Sequence, residues 1–161
     1  MFKVTNDTLE RKWTAYKSTL REKQVEEVYH GTKLSCRITA SWKCCDTESC
    51  GICGISKSGL DRRRVGDQGS RFGTGFYLAP NSSKSHYYTQ KYNGFKAMLL
   101  CDVLPGRKYV IQTNMLSAPT GYDSVYYCGN AAGRNLDYPE LVVYKPEAVL
   151  PRYIIVYRCR D

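Results

Sequence analysis

Five of the eight cysteines fall within residues 36–53, in the run "CRITASWKCCDTESCGIC". A stretch this polar has too few apolar side chains to build a core, so something else must hold it together. Cys45-x4-Cys50-x2-Cys53 has the close pair and spacing of a zinc knuckle. Cys36 is the expected fourth ligand, and Cys44 competes with its neighbour Cys45 for a place. Thiolate sulfurs about 2.3 Å from zinc would then replace the missing core. Two other readings stay open. "CGIC" matches a redox CxxC, although it follows polar "KCCDTES" and not a core strand opening into a helix. Disulfides would need an oxidising compartment. Cys101, Cys128 and Cys159 are scattered, and the clustering of the rest favours one metal site over a framework tying distant segments together.

The rest of the chain has the means to fold conventionally. At 161 residues with 42% hydrophobic content and 14 tyrosines, one folded domain over 1–161 is expected, with the cysteine insertion at about 36–53. There is no run of about 18 apolar residues to cross a membrane. "MFKVTNDTLERKW" lacks the apolar core of an export signal, so an intracellular monomer, cytoplasmic or nuclear, is expected. The net charge of +9 attracts phosphates, whether of a nucleotide, a nucleic acid or an acidic partner, or it marks a solvated basic surface. Its compact expression is Arg62-Arg63-Arg64, placed on a loop beside Gly59.

Residues 7–23 predict a helix capped by Asp7 or Thr8, with Leu9, Trp13, Tyr16 and Leu20 on one face. "VEEVYHGT" reads as a strand ending at His30, residues 35–54 as irregular, and "ISKSGLD" as a short helix closed by Gly59. The second half is β-rich. "GTGFYLA", "KAMLLCDVL", "KYVIQT", "ELVVYKP" and "RYIIVYRCR" are β-branched and aromatic runs separated by Gly, Pro and Asn. Residues 117–139 read as a long loop holding Pro119, Gly121, Gly129 and Gly133. The class is α+β with a mostly antiparallel sheet.

One stretch asks for a ligand. "RFGTGFYLAPNSSKSHYYTQ" uses two glycines to reach Phe76-Tyr77, then runs through a small polar patch into Tyr87-Tyr88. Glycine lets a backbone approach a ligand closely, and facing aromatic rings hold a flat or cationic ring.

Together with "YHGT" at 29–32 and "YPELVVY" at 138–144, this stretch resembles the ADP-ribosyltransferase catalytic domain of the poly(ADP-ribose) polymerase (PARP) type. That family carries a His–Tyr–Glu signature across these three elements. "VTNDTLERKW" resembles the domain's opening, "YDSV" its acceptor-side loop and "PRYIIVYR" its final strand. The resemblance implies NAD as substrate, with its nicotinamide between Tyr88 and Tyr77 and its carboxamide held by Ser85 and the Gly31 backbone. It implies that His30 bonds the adenosine ribose, with Thr32 close behind, and that Lys84 is a partner for the reacting ribose. Several members carry an arginine just after the "GL" matching Gly59-Leu60. Asp61 stands there in this chain, which leaves Arg62 as the candidate adenosine contact. His30, Tyr77 and Glu140 form the implied catalytic set.

Glu140 makes chemical sense in that role. Breaking the nicotinamide–ribose bond passes through an oxocarbenium-like state, akin to glycoside hydrolysis. A carboxylate on the ribose 2′-hydroxyl stabilises that charge more in the transition state than in the ground state. The expected activity is transfer of ADP-ribose to a macromolecular acceptor, protein or nucleic acid. The short span between Tyr122 and Glu140 points to single-unit transfer. The competing readings are an NAD glycohydrolase and a weakly active, zinc-containing nucleic-acid binder of the same fold. Members with a zinc motif carry it on the other side of the SKS segment, so the cysteine cluster is argued from spacing alone.

Overall fold

The structure is a computed structural model and describes residues 1–41, 43–65, 71–129 and 138–159. Gly133, expected in the long loop, and Arg160, at the end of the last run, lie outside the described residues.

Helix α1 spans Asp7–Thr19. Its cap is Asn6, one residue earlier than the sequence suggested: the Asn6 side chain accepts from the Leu9 N–H at 3.1 Å. It also stops at Thr19 and not at residue 23. The Ser18 and Thr19 hydroxyls bond back to the carbonyls of Ala15 and Tyr16, and Leu20 is extended. Leu9 and Leu20 are buried, and Tyr16 packs on the core.

Among the described residues the strands form two four-stranded sheets. The first runs β1 (Phe2–Lys3), β8 (Val149–Arg158), β4 (Phe95–Val103), β2 (Glu26–Gly31), with every neighbouring pair antiparallel. The second runs β3 (Phe76–Leu78), β7 (Glu140–Val143), β6 (Ser124–Tyr127), β5 (Lys108–Ile111). Its β5–β6 pair is parallel and the others antiparallel. The α+β class with mostly antiparallel sheets is as the sequence predicts. Strand β6 was expected as loop. "SVYY" is a short run in which Ser124, Val125 and Tyr127 are buried and Tyr126 is half-buried, and the turn residues around it masked the signal.

The main core fills the space between the first sheet, the inner face of β3 and β7, and the cysteine segment. That segment is less irregular than its composition suggests. Helix α2 covers Ile38–Ser41 and α3 covers Gly51–Ser58, closed by Gly59 at φ +79°, which a side chain would strain. The polar patch before Tyr87 is also helical. Helix α4 (Ser82–Tyr87) is capped by Asn81, whose side chain accepts from the Lys84 N–H at 3.3 Å.

Candidate active site

The two sheets meet at a β-bridge. Tyr29 and Ala79 exchange backbone bonds of 2.8 and 2.9 Å, which sets His30 of the first sheet against Tyr77 of the second. The His30 Nδ1–H donates to the Tyr77 carbonyl at 2.9 Å. A carbonyl only accepts, so this bond fixes the proton on Nδ1 and leaves Nε2 as an acceptor for a hydroxyl.

Burial holds the His30 pKa below its ordinary 6.5, opposed by the bond to Tyr77. The unfolded chain therefore takes up a proton near pH 6.5 that the folded chain refuses. Stability is level above that value and falls as pH drops below it, until the depressed folded value is reached. In thermal melts between about pH 8 and about pH 5, His30→Gln should shorten this acid limb. An unchanged pH dependence would show that His30 is not its source.

Two clefts open on either side of the His30–Tyr77 contact and share both residues. The smaller, about 310 Å³, is lined by Gly31, Lys84, Ser85, Tyr88 and Glu140 besides the shared pair, with Arg71 at its edge. Glu140 opens β7, which is buried throughout and paired on both sides, to β3 and to β6. Its carboxylate lies 3.4 Å from the Lys84 ammonium, with both side chains almost fully buried. A charged pair on a strand and a capped helix is held in position before any ligand arrives. Gly31 is needed for close approach: a Cβ there would stand 1.9 Å from the Ser85 carbonyl oxygen. This contact seats α4 directly on the end of β2.

The aromatic residues divide by role. The Tyr77 hydroxyl donates to the Gly73 carbonyl and accepts from the Phe72 N–H, both at 2.9 Å, so its ring cannot swing. Tyr88, at the end of α4, is 59% exposed and keeps a face for a ligand. Burial first, and then the charge of Glu140, push its hydroxyl pKa up. Tyr87 turns away and stacks on Tyr138, ring centres 6.5 Å apart. Tyr88→Ala should therefore weaken NAD binding by about 1–2 kcal/mol through lost stacking, and Tyr87→Ala by less. Titration calorimetry on both variants checks this, and the reverse order would refute the register through "SKSHYY".

The larger cleft, about 620 Å³, runs from His30 and Thr32 along α3 to Asp61, Arg63 and Arg64. Arg62 is not among the residues that line it. The Arg62 guanidinium donates to the Tyr144 carbonyl, while Asp61 caps the turn at 62–64 and pairs with Arg63 at 2.7 Å. That turn directs Arg62 to Tyr144 and leaves Arg63 and Arg64 at the cleft. Arg71, at the smaller cleft, was also missed. Its guanidinium lies 4.4 Å from the Tyr127 ring centre and 5.4 Å from that of Phe72. Phe72 is its neighbour in sequence, and the pairing of β6 brings Tyr127.

The sulfurs of Cys36, Cys45, Cys50 and Cys53 all lie within 4.8 Å of one another. Cys36 is 3.6 Å from Cys53 and 3.8 Å from Cys50. A tetrahedron with zinc–sulfur bonds of about 2.3 Å has edges of about 3.8 Å, so the donor set fits a zinc ion. Cys45 joins the cluster and Cys44 does not. Burial pushes Cys36 up to about 12, opposed by its bond with Cys53 and helped by Cys45 and Cys50. Burial works the same way on Cys45, but bonds from Thr47 and from the Cys36 and Cys53 thiols outweigh it and bring this thiol down to about 7. Metal ligation needs the thiolate form, which a bound cation would favour at each sulfur.

A buried carboxylate beside a lysine, in a cleft that continues past a histidine toward paired arginines, suits cleavage of a dinucleotide. Residues 1–134 match the family model for the poly(ADP-ribose) polymerase catalytic domain, and the chain belongs to that family. The match takes in His30, Tyr77 and Tyr88 and ends before Glu140. Among curated proteins, a "Poly [ADP-ribose] polymerase tankyrase" of Caenorhabditis elegans is 26% identical over 152 residues. The alignment covers 70% of this chain and 7% of that relative's length. Among the described residues, no helix is long and apolar enough to cross a membrane.

Proposed function

We propose that this chain binds NAD across the two clefts, cleaves its nicotinamide–ribose bond and passes one ADP-ribose unit to a macromolecular acceptor. The observation that carries this reading is the buried Glu140–Lys84 pair at 3.4 Å, in one cleft with Tyr77, Ser85 and Tyr88. Nicotinamide lies between Tyr88 and Tyr77, and the carboxamide bonds Ser85 and the Gly31 backbone. Glu140 accepts from the ribose 2′-hydroxyl and stabilises the oxocarbenium-like state as the bond breaks. Lys84 holds the Glu140 carboxylate in position, and His30 Nε2 accepts from the adenosine ribose. The acceptor's nucleophilic oxygen or nitrogen then attacks the anomeric carbon and loses its proton to Glu140 or to water.

Zinc in the four-cysteine cluster supplies folding energy and no chemistry, because the closed thiolate set leaves no position for substrate. Four thiols of this kind persist in a reducing compartment, so we place the chain inside the cell, working as one domain and as a monomer. Incubation with NAD labelled in the adenosine moiety tests the reading. Release of nicotinamide with label retained on a macromolecule supports it, and its sensitivity to protease or nuclease assigns the acceptor. Release with all label left as free ADP-ribose would make the chain a glycohydrolase. No release would overturn both enzyme readings.

A further inference from the structure

The positive charge is not spread evenly along the chain. Of the 24 Lys and Arg, nine fall in residues 28–45, 67–101 and 153–160, which hold no Asp or Glu. The remaining fifteen share the rest of the chain with all 15 Asp and Glu, so the whole excess of +9 comes from these three segments. Arg71 and Lys84 belong to the smaller cleft. Arg37 and Arg158 belong to a different place, a groove of about 230 Å³ between α2 and the turn that leads into β4. It shares no residue with either cleft. Buried Leu34 and Ile38, with half-buried Phe95 and Val156, line its bottom, and exposed Arg37 and Tyr92 stand at its rim.

The turn fixes the two rings. Tyr92 and Phe95 exchange backbone bonds of 2.7 and 3.0 Å across Asn93 and Gly94, both at positive φ. Directly paired residues put their side chains on one face of a ribbon, so both rings reach the groove. Phe95 also pairs with Arg158 between β4 and β8, and that guanidinium lies 4.9 Å from the Phe95 ring centre. A bridge from Lys33 to Gln90 sets exposed Lys33 and Lys91 beside the same turn. Elsewhere basic side chains are matched: Lys57 by Asp46, Arg63 by Asp61, Arg64 by Glu48 and Arg152 by Asp102. Among the described residues, neither Arg37 nor Arg158 has a carboxylate partner. Charge alone would suit any polyanion, and the groove narrows the choice. A nucleotide chain alternates a flat ring with a phosphate, and this surface sets arginines around an aromatic floor. A duplex keeps its rings stacked inside, so only an unpaired strand can offer one. An acidic peptide brings the anions without a ring at every step.

We propose that this groove docks single-stranded nucleic acid, with one base seated against Tyr92 and Phe95 and its flanking phosphates on Arg37 and Arg158. The inference is independent of the NAD chemistry and holds whether or not the chain is a transferase.

Fluorescence anisotropy of the full chain with dye-labelled oligo(dT), without NAD, tests it. The logarithm of the affinity should fall linearly with the logarithm of salt concentration, by about 0.7 for each phosphate engaged. Tyr92→Ala should weaken binding by about tenfold at every salt concentration, the scale of one lost stacked base, and leave the slope unchanged. Arg37→Gln and Arg158→Gln should each weaken binding and flatten the slope by about 0.7, one phosphate apiece. All three side chains are exposed, so the melting temperature should hold in each variant. A folding defect would not separate affinity from slope in this way. The same oligonucleotide annealed to its complement should bind more weakly, and poly-glutamate should not displace the single strand. Absence of binding at low salt, equal affinity for strand and duplex, or displacement by poly-glutamate would overturn the proposal. Wild-type affinity in the Arg37→Gln/Arg158→Gln double variant would overturn it as well. If a variant fails to fold, the wild-type comparison of strand, duplex and poly-glutamate decides the question.

Discussion

Glu140→Gln should lower ADP-ribose transfer by about 10²–10³-fold, the loss typical of removing one transition-state contact. The amide keeps the carboxylate's shape and still accepts a hydrogen bond, so NAD affinity should change little, while the melting temperature should fall somewhat because the buried Lys84 loses this anion. The larger effect of the missing charge comes when the ribose becomes cationic. The effect should therefore fall on kcat, measured as nicotinamide release at saturating NAD. Lys84→Met is the informative companion: it leaves Glu140 buried without its cation, and should reduce both stability and turnover. Retention of most activity in Glu140→Gln would remove the carboxylate from the mechanism, whatever its position.

The second large effect concerns the cluster. Freshly purified protein should carry about one equivalent of zinc, and Cys50→Ser or Cys53→Ser should lose it. Metal binding free energy is folding free energy for a segment that cannot pack on its own. A loss of about 5 kcal/mol corresponds to a melting temperature lower by about 10–20 °C in a chain of this size. Cys44→Ser and Cys128→Ser are the controls, since neither sulfur joins the cluster and Cys128 is exposed. Both should keep metal and stability. A metal-free wild type whose thiols all titrate without denaturant would contradict this, as would disulfides within the cluster in protein made under reducing conditions.

What the sequence revealed was local. "KAMLLCDVL" and "RYIIVYRCR" are dense enough in apolar and β-branched residues to declare β4 and β8 by themselves. His30, Tyr77 and Glu140 stood in motifs short enough to read, and the cysteine spacing picked out the residues that converge. The helices α3 and α4 were harder, because serine, glycine and cysteine are weak helix formers and tertiary contacts decide for them. Helix α3 is held by Asn6 and Lys33, α4 by the close fit of Ser85 on Gly31. The larger cleft was hidden for the same reason. Its walls come from residues 30–33, 49–65 and 75–77, and no single window of sequence contains two of them. A tripeptide of arginines does not say which of them a tight turn will aim at the cleft: Arg63 and Arg64 line it, and Arg62 bonds the Tyr144 carbonyl.

The bridge between Tyr29 and Ala79 gives the molecule a mechanical property. One rung of backbone bonding ties two independently hydrogen-bonded sheets together, one residue away from His30 and two from Tyr77. A dinucleotide gripped by both residues acts as a second fastener across that seam. By linkage, it must tighten the seam by as much as the seam's integrity tightens its own binding. Hydrogen exchange at the Tyr29 and Ala79 amides should slow on adding ADP-ribose, while amides in the middle of β4 and β8, deep in one sheet, keep their rates. The catalytic centre would thus report on the docking of the two sheets, and anything that pries them apart would silence it without touching a catalytic residue.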